Sequence, residues 1–412
     1  MIIDSKQYSG RCTCGREHTL ETVYTVVEGG CLKDVNTYML QNGLSGFTTA
    51  VYDENTYAAT ADRHPQVNAE VVLEAEGLHA DERGVELLLQ KLPPQTEVIV
   101  AIGAGTIHDI VRYCAYVRHT AFVSCPTAAS VDGFCSSVAS MTWGGCKKTL
   151  TAVAPRIVVA DVEIIRKAPI RLARSGFGDM VGKYVALTDW KIAHILTGEY
   201  YCPRIAQLTL EATQAVTDSV DGIVRGDAGA FEKLTYGLLL SGLAMQMMGN
   251  SRPASGAEHH ISHLIEMSPV GLGVRSAALH GEKVGVATLL AVEEYQRLRS
   301  NAPVRFRDYP EFSREELQRI FGEESAEKLL VENEEDSAAL VTAQKLCRNW
   351  EKICEELERL PKIEVLRALY ESGGICARLS DISVPEEKAA ELLDASPAVR
   401  NRLTFMRLRS CL

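Results

Sequence analysis

Val98-Ile99-Val100-Ala101-Ile102 runs directly into Gly103-Ala104-Gly105-Thr106-Ile107-His108-Asp109. A continuous apolar run of this length reads as a strand of a parallel sheet buried on both faces. The glycines then read as a turn, and the residues after them as a helix. Such a turn presents main-chain N–H groups at the positive end of a helix, where a phosphate can sit. Glycine lets the backbone approach a ligand closely. The dinucleotide fingerprint asks for a third glycine where His108 stands, so the turn fits a nucleotide site or a plain strand-to-helix connection.

The same alternation extends outward from this unit. Phe47-Thr48-Thr49-Ala50-Val51-Tyr52 reads as a strand ending at Asp53, Ala121–Cys125 as one ending at Pro126, and Ile157–Ala160 as one ending at Asp161. Helical spacing separates them over Glu82–Leu92 and His108–Arg118. These units predict an α/β, Rossmann-like N-terminal domain with a parallel sheet over residues 1–165. After Pro169 the strand signals vanish. Leu346, Trp350, Ile353, Leu357 and Leu360 step by four and three, and residues 166–412 read as an all-α C-terminal domain. The default site is a cleft between the two domains. The acidic stretch Glu323–Asp336 reads as a solvated helix face or loop.

A chain of 412 residues is long enough for two or three domains and a large core. With 43 basic and 54 acidic residues its net charge is −11, the wrong sign for gripping nucleic acid or an anionic membrane. The twelve cysteines are scattered and form no framework of regular pairs, which points to reduced thiols in the cytoplasm. The N-terminus lacks the layout of a signal peptide. The apolar stretch Leu238–Met248 is broken by Ser241 and Gln246 and is too short to span a bilayer.

A second turn, Pro126-Thr127-Ala128-Ala129-Ser130-Val131-Asp132-Gly133 followed by Ser136, comes after the next strand and should lie beside the glycine turn. Asp53 suits an acidic group accepting from an adenosine ribose, favouring NAD over NADP, or an ordinary turn residue. Four histidines cluster: His259 and His263 share a helix face that Pro253 is well placed to open, beside His260 and followed by His280. Converging imidazoles are a common ligand set for zinc and other first-row metals. The order is not His-Glu-x-x-His, which excludes the metalloprotease pattern. In Ser175-Gly176-Phe177-Gly178-Asp179-Met180-Val181-Gly182-Lys183, Asp179 reads as a helix cap and Lys183 as its surface partner.

Five motifs occur in order between Asp53 and Gly285: the glycine turn, Pro-Thr-Ala-Ala-Ser-x-Asp-Gly, Gly-Phe-Gly-Asp-x-x-x-Lys, Ser-Arg-Pro-Ala-Ser-Gly-x-Glu-His and His-Gly-Glu-Lys-Val-Gly-Val. Together they resemble the sn-glycerol-1-phosphate dehydrogenases, within the iron-type alcohol dehydrogenase and dehydroquinate synthase-like superfamily. The resemblance implies reversible reduction of dihydroxyacetone phosphate with NAD, NADP being possible, in phospholipid biosynthesis. It implies one divalent metal (zinc, nickel or iron) held by Asp179, His259 and His280, with Asp179 and His263 as the catalytic residues. Asp132, Asp179 and His263 would contact the substrate. Asp53, Gly103, Ala104, Gly105, Thr106, Ile107, Thr127, Ala128, Ala129, Ser130 and Ser136 would contact the cofactor. The choice of His259 over His260 comes from the resemblance, as does the expectation of a homodimer. Arg252, Lys147 and Lys148 are candidates for the substrate phosphate.

Two other enzyme readings share the scaffold: a dehydroquinate synthase-like lyase and a glycerol or polyol dehydrogenase. A non-enzymatic sugar-phosphate sensor is a further reading, since fold alone does not fix function. Cys12-Thr13-Cys14-Gly15-Arg16-Glu17-His18 has a zinc-like composition but lacks the usual second half, and reads as an ordinary hairpin or loop.

Overall fold

Seven strands form the main sheet in the computed structural model, which describes residues 1–144, 146–301 and 305–412, without the side chains of Cys146 and Lys147. In chain order they are β1 (Ile2–Asp4), β2 (Tyr24–Glu28), β3 (Thr48–Asp53), β4 (Ala69–Leu73), β5 (Val98–Gly103), β6 (Ala121–Pro126) and β7 (Ile157–Asp161). Their spatial order is β1-β2-β7-β6-β5-β3-β4; β1 runs antiparallel to β2 and every other pairing is parallel.

The unbroken apolar strands follow from burial on both faces. Along β5, Ile99 and Ala101 pack into one apolar cluster, while Val98, Val100 and Ile102 pack into another on the opposite face. Alternate side chains of a strand point to opposite faces, so both sets must be apolar. Helices Glu82–Lys91 and Gly105–Arg118 cover the first face. The direction of strand succession reverses between β5 and β3. In parallel sheets the crevice beyond the strand ends at such a reversal is where ligands bind. Asp53 and Gly103 end these two strands.

Two compact units divide the chain: Met1–Phe177 with Gln214–Asn250, and Gly178–Thr213 with Ser251–Leu412. The first holds the sheet together with helix Ala228–Met248. Its apolar stretch Leu238–Met248 packs in that unit, and no described helix is long and apolar enough to cross a membrane. The described residues of the second unit form helices and their connections and no strand, the helices including Ala257–Met267, His280–Ser300 and Ala343–Glu358. Leu346, Ile353 and Leu357 form the buried stripe of the last of these. The acidic stretch contains helix Glu323–Glu332, whose glutamates are mostly exposed. Small hairpins pair Gly10–Arg11 with Glu17–His18 and Val138–Trp143 with Cys146–Thr151.

Candidate metal centre and cofactor loops

In the sheet unit, helix Gly105–Arg118 begins two residues after β5, and no side chain caps its first turn. A Cβ on Gly103 would lie 2.6 Å from Cβ of Ile107, so glycine is required for this tight return. At Gly105 the nearest atom to an added Cβ is 4.0 Å away, which leaves the turn open on that side. His108, at the third-glycine position, is buried; its Nδ1 lies 3.0 Å from the Ala104 oxygen and its ring packs against Phe134. Burial pushes its imidazole down to about 3.

The second loop follows β6 and is tied to the first: the N–H of Thr127 donates to the Gly103 oxygen at 2.9 Å. Thr127, Ala128, Ala129 and Ser130 are buried. An added Cβ on Gly176 would sit 2.1 Å from the Ala129 oxygen, so this glycine permits the close packing of the loop. Asp132 accepts from the Ser241 hydroxyl at 2.9 Å, and the Ser136 hydroxyl is bound to the Val138 main chain. Asp53 caps helix Glu54–Ala59, accepting from the Thr56 N–H at 2.8 Å. The turn role is therefore present in the fold, and it engages one carboxylate oxygen.

The helical unit gathers the metal-ligand candidates. Asp179, His259 and His280 each bring a ligand atom to within 4.8 Å of the others. Close helix packing makes this possible. An added Cβ on Gly178 would lie 2.4 Å from the Gly281 oxygen, which seats the end of helix Ile170–Val181 against the start of His280–Ser300. Asp179 and Lys183 are fully buried, with Lys183 Nζ donating to Asp179 Oδ1 at 2.7 Å and to the Ala254 oxygen at 3.1 Å. Burial opposes the charged carboxylate, but Lys183, His259 and His280 outweigh it and hold Asp179 well below the usual carboxylate range. Both sequence readings here need correction: Asp179 lies in the last turn of its helix rather than at a cap, and Lys183 is a core cation rather than a surface partner.

Two carboxylates to which the sequence reading gave no role orient the imidazoles. His259 Nδ1 lies 2.7 Å from Glu258 Oε1, and His280 Nδ1 lies 2.9 Å from Glu266 Oε1. An ionised carboxylate only accepts, so the Glu266 bond puts the His280 ring proton on Nδ1 and leaves Nε2 as the donor atom. Burial pushes the Glu258 carboxyl up to about 7, and His259 takes the same tautomer in the form where Glu258 is ionised. Metal-bearing histidines are oriented in this way. His259 Nε2 is 3.6 Å from Asp179 Oδ1, so the three donors fit a divalent first-row ion. His263, Glu266 and His280 form a second, overlapping group. Using it would release Glu266 from His280, which favours the Asp179 set. The signal for Glu266 was available, because it follows His259 and His263 at helical spacing on one face.

His263 packs its ring against both His259 and His280, with centroids 5.9 Å away in each case. Burial pushes it down to about 3, opposed by Glu266 and aided by His280 and His259, so it is a neutral imidazole at neutral pH. His260 points elsewhere: it is buried, and neither ring nitrogen has a hydrogen-bond partner. Pro253 does not open the histidine helix. Gly256 precedes it, and Asp189 accepts from the Ala257 N–H at 2.8 Å. Arg252 is removed from the phosphate candidates, since it is buried and bonded to Glu199 and the Leu403 oxygen. Lys148 is exposed on its hairpin, and the Lys147 side chain lies outside the described residues.

Residues 26–169 match the family profile of iron-containing alcohol dehydrogenases. A glycerol-1-phosphate dehydrogenase of the NAD(P)+ type from Bacillus licheniformis is 39% identical over 303 residues, covering 71% of this chain and 75% of that protein. One from Halalkalibacterium halodurans is 31% identical over 417 residues, covering 98% and 97%. Among solved structures, maleylacetate reductase from Rhizobium sp. strain MTP-10005 superposes with a TM-score of 0.61 at 16% identity, covering 92% of this chain and 91% of that one. At that identity the likeness concerns the fold.

Proposed function

The chain belongs to the glycerol-1-phosphate dehydrogenase family, and from that premise we propose that it interconverts dihydroxyacetone phosphate and sn-glycerol 1-phosphate with NAD(P) and a divalent metal. The observation that carries this reading is the convergence of Asp179, His259 and His280, each on its own motif of the family and each held by an ionisable partner, Lys183 and Glu258 buried and Glu266 partly so. When bound, the dinucleotide supplies a hydride equivalent and the metal an electrophile toward the carbonyl oxygen.

The protein's own part is positioning and charge control. Lys183 keeps Asp179 ionised, while Glu258 and Glu266 orient the rings of His259 and His280. His263, neutral and beside this cluster, holds the substrate oxygen through a hydrogen bond. The turn Gly103–Ile107 and the loop Thr127–Ser130, with Asp53, Asp132 and Ser136, form the dinucleotide and substrate side of the reading. The open first turn of helix Gly105–Arg118 supports its pyrophosphate role. Residues 1–165 would then be the cofactor domain and 166–412 the metal and substrate domain, in a cytoplasmic homodimer serving phospholipid biosynthesis. Zinc, nickel and iron all suit the donor set.

The test compares NADH oxidation with dihydroxyacetone phosphate and with unphosphorylated dihydroxyacetone in metal-loaded protein. A preference of about 100-fold or more in kcat/KM for the phosphorylated ketone is expected, the worth of one or two charge-assisted hydrogen bonds to the phosphate. Equal rates would make the protein a polyol dehydrogenase.

A further inference from the structure

The hairpin Gly10–Arg11 with Glu17–His18 carries a second set of metal-binding side chains, within the sheet unit. Its connecting loop, Cys12-Thr13-Cys14-Gly15-Arg16, folds back sharply. The Gly15 N–H donates to the Cys12 oxygen at 3.0 Å, and the Cys12 N–H to the Arg16 oxygen at 2.9 Å. Gly15 has φ +89°, a conformation that favours glycine. Through this turn the sulfurs of Cys12 and Cys14 and a ring nitrogen of His18 come to within 4.8 Å of one another.

The histidine supplies an independent observation. His18 is only 2% exposed, although it sits on a strand of two residues. Its Nδ1 lies 2.9 Å from the main-chain oxygen of Met247, and its Nε2 lies 3.4 Å from Cys14 Sγ. A carbonyl oxygen only accepts, so Nδ1 carries the proton and Nε2 turns its lone pair toward the thiols. This outer hydrogen bond to a backbone carbonyl is the arrangement that orients a metal-bearing imidazole.

We propose that Cys12, Cys14 and His18 hold a structural zinc ion. Two sulfurs and an imidazole select zinc over magnesium or calcium, which require oxygen donors. Two thiolates and a neutral imidazole also balance the charge of the ion. Tetrahedral zinc takes one donor besides these three. The staple has a mechanical purpose, because an isolated pair of two-residue strands is marginal in water. His18 leads to Met247 in the last turn of helix Ala228–Met248, where the Gln246 side chain also accepts from the N–H groups of Glu21 and Thr22. Metal at the hairpin would fasten the first twenty or so residues to that helix.

Metal analysis of the full chain, grown with zinc and freed of loosely held ions, tests the proposal. The double variant Cys12→Ser/Cys14→Ser should contain about one equivalent of zinc less than the parent. His280→Ala should keep that equivalent, so the two metal losses are independent. His18→Cys should retain zinc, because a thiolate replaces the imidazole. Cobalt substitution should give sulfur-to-metal charge transfer in the parent, and not in the double variant. Should the double variant fail to fold, alkylation of the parent under native conditions decides. Zinc-dependent protection of Cys12 and Cys14 supports the site. Unchanged zinc content in a folded double variant, unprotected thiols, or a Cys12–Cys14 disulfide recovered from the native protein would each overturn it.

Discussion

The glycine turn of the sheet unit and the histidine cluster of the helical unit are built from different material. The turn is made of main chain and small residues: Gly103 and Gly105 shape it, and Ala128 and Ala129 line the loop beside it. The cluster is made of buried ionisable side chains, with Asp179, Lys183 and Glu258 all fully buried. A main-chain site loses little when a neighbouring side chain is shortened. A buried charge network loses much, because removing one member leaves the others uncompensated. The cluster should therefore answer steeply to substitution and the turn shallowly.

The largest expected effect is at His280. His280→Ala removes a proposed metal donor and takes from the partly buried Glu266 its partner at 2.9 Å, leaving it Lys283 at 3.7 Å. Metal at this centre should be lost and kcat/KM should fall by at least ~1000-fold, as should happen on chelation, with divalent metal restoring only the parent. Metal content and steady-state rates measured on the same preparation check this. Full activity in a verified metal-free sample would falsify the metal-centre reading.

His263 sharpens the comparison within the cluster, since it packs against two ligand candidates without belonging to their set. His263→Ala should keep its metal and lose about ten- to a hundred-fold in kcat/KM, the worth of one hydrogen bond to developing charge. Metal loss equal to that of His280→Ala would make His263 a ligand, and the competing group with Glu266 would be the true one.

The same contrast of materials governs what could be read from sequence. Strands β3, β5, β6 and β7 were legible to within a residue at each end, because burial on both faces forces continuous apolar runs. The turn was legible because only glycine fits beside Ile107. The cluster was legible through its histidines and not through their supports. Lys183 and Asp179, four apart on polar positions, look like a surface pair; only the packing of Gly178 against Gly281 places them in the core. Arg252 looks like a phosphate ligand until Glu199, distant in sequence, is found beside it. Arg252 with Glu199 and Asp179 with Lys183 are compensated across separate elements, and that pairing carries no local signature; Glu258 and Glu266, on the histidine helix itself, carry one in their spacing. The choice between His259 and His260 depends on which side of helix Ala257–Met267 each faces, and spacing alone does not decide it.

The smallest expected effect belongs to Asp53, where the two roles of one carboxylate can be separated. It ends β3 at the sheet's reversal point and also caps helix Glu54–Ala59, its Oδ1 accepting from the Thr56 N–H at 2.8 Å. Alanine would remove both roles together. Serine is itself a good helix cap, so Asp53→Ser keeps the Thr56 bond to within about 0.5 kcal/mol while deleting the charge. If Asp53 also accepts from the adenosine ribose, the variant should weaken NADH several-fold, about one lost hydrogen bond to a charged group. NADPH should weaken less or gain, because a carboxylate repels the 2′-phosphate that distinguishes it. The quantity to measure is the ratio of kcat/KM for the two cofactors, together with the melting temperature. A changed ratio at unchanged melting temperature assigns the ribose contact; an unchanged ratio leaves Asp53 as a cap alone and moves cofactor choice elsewhere in the crevice.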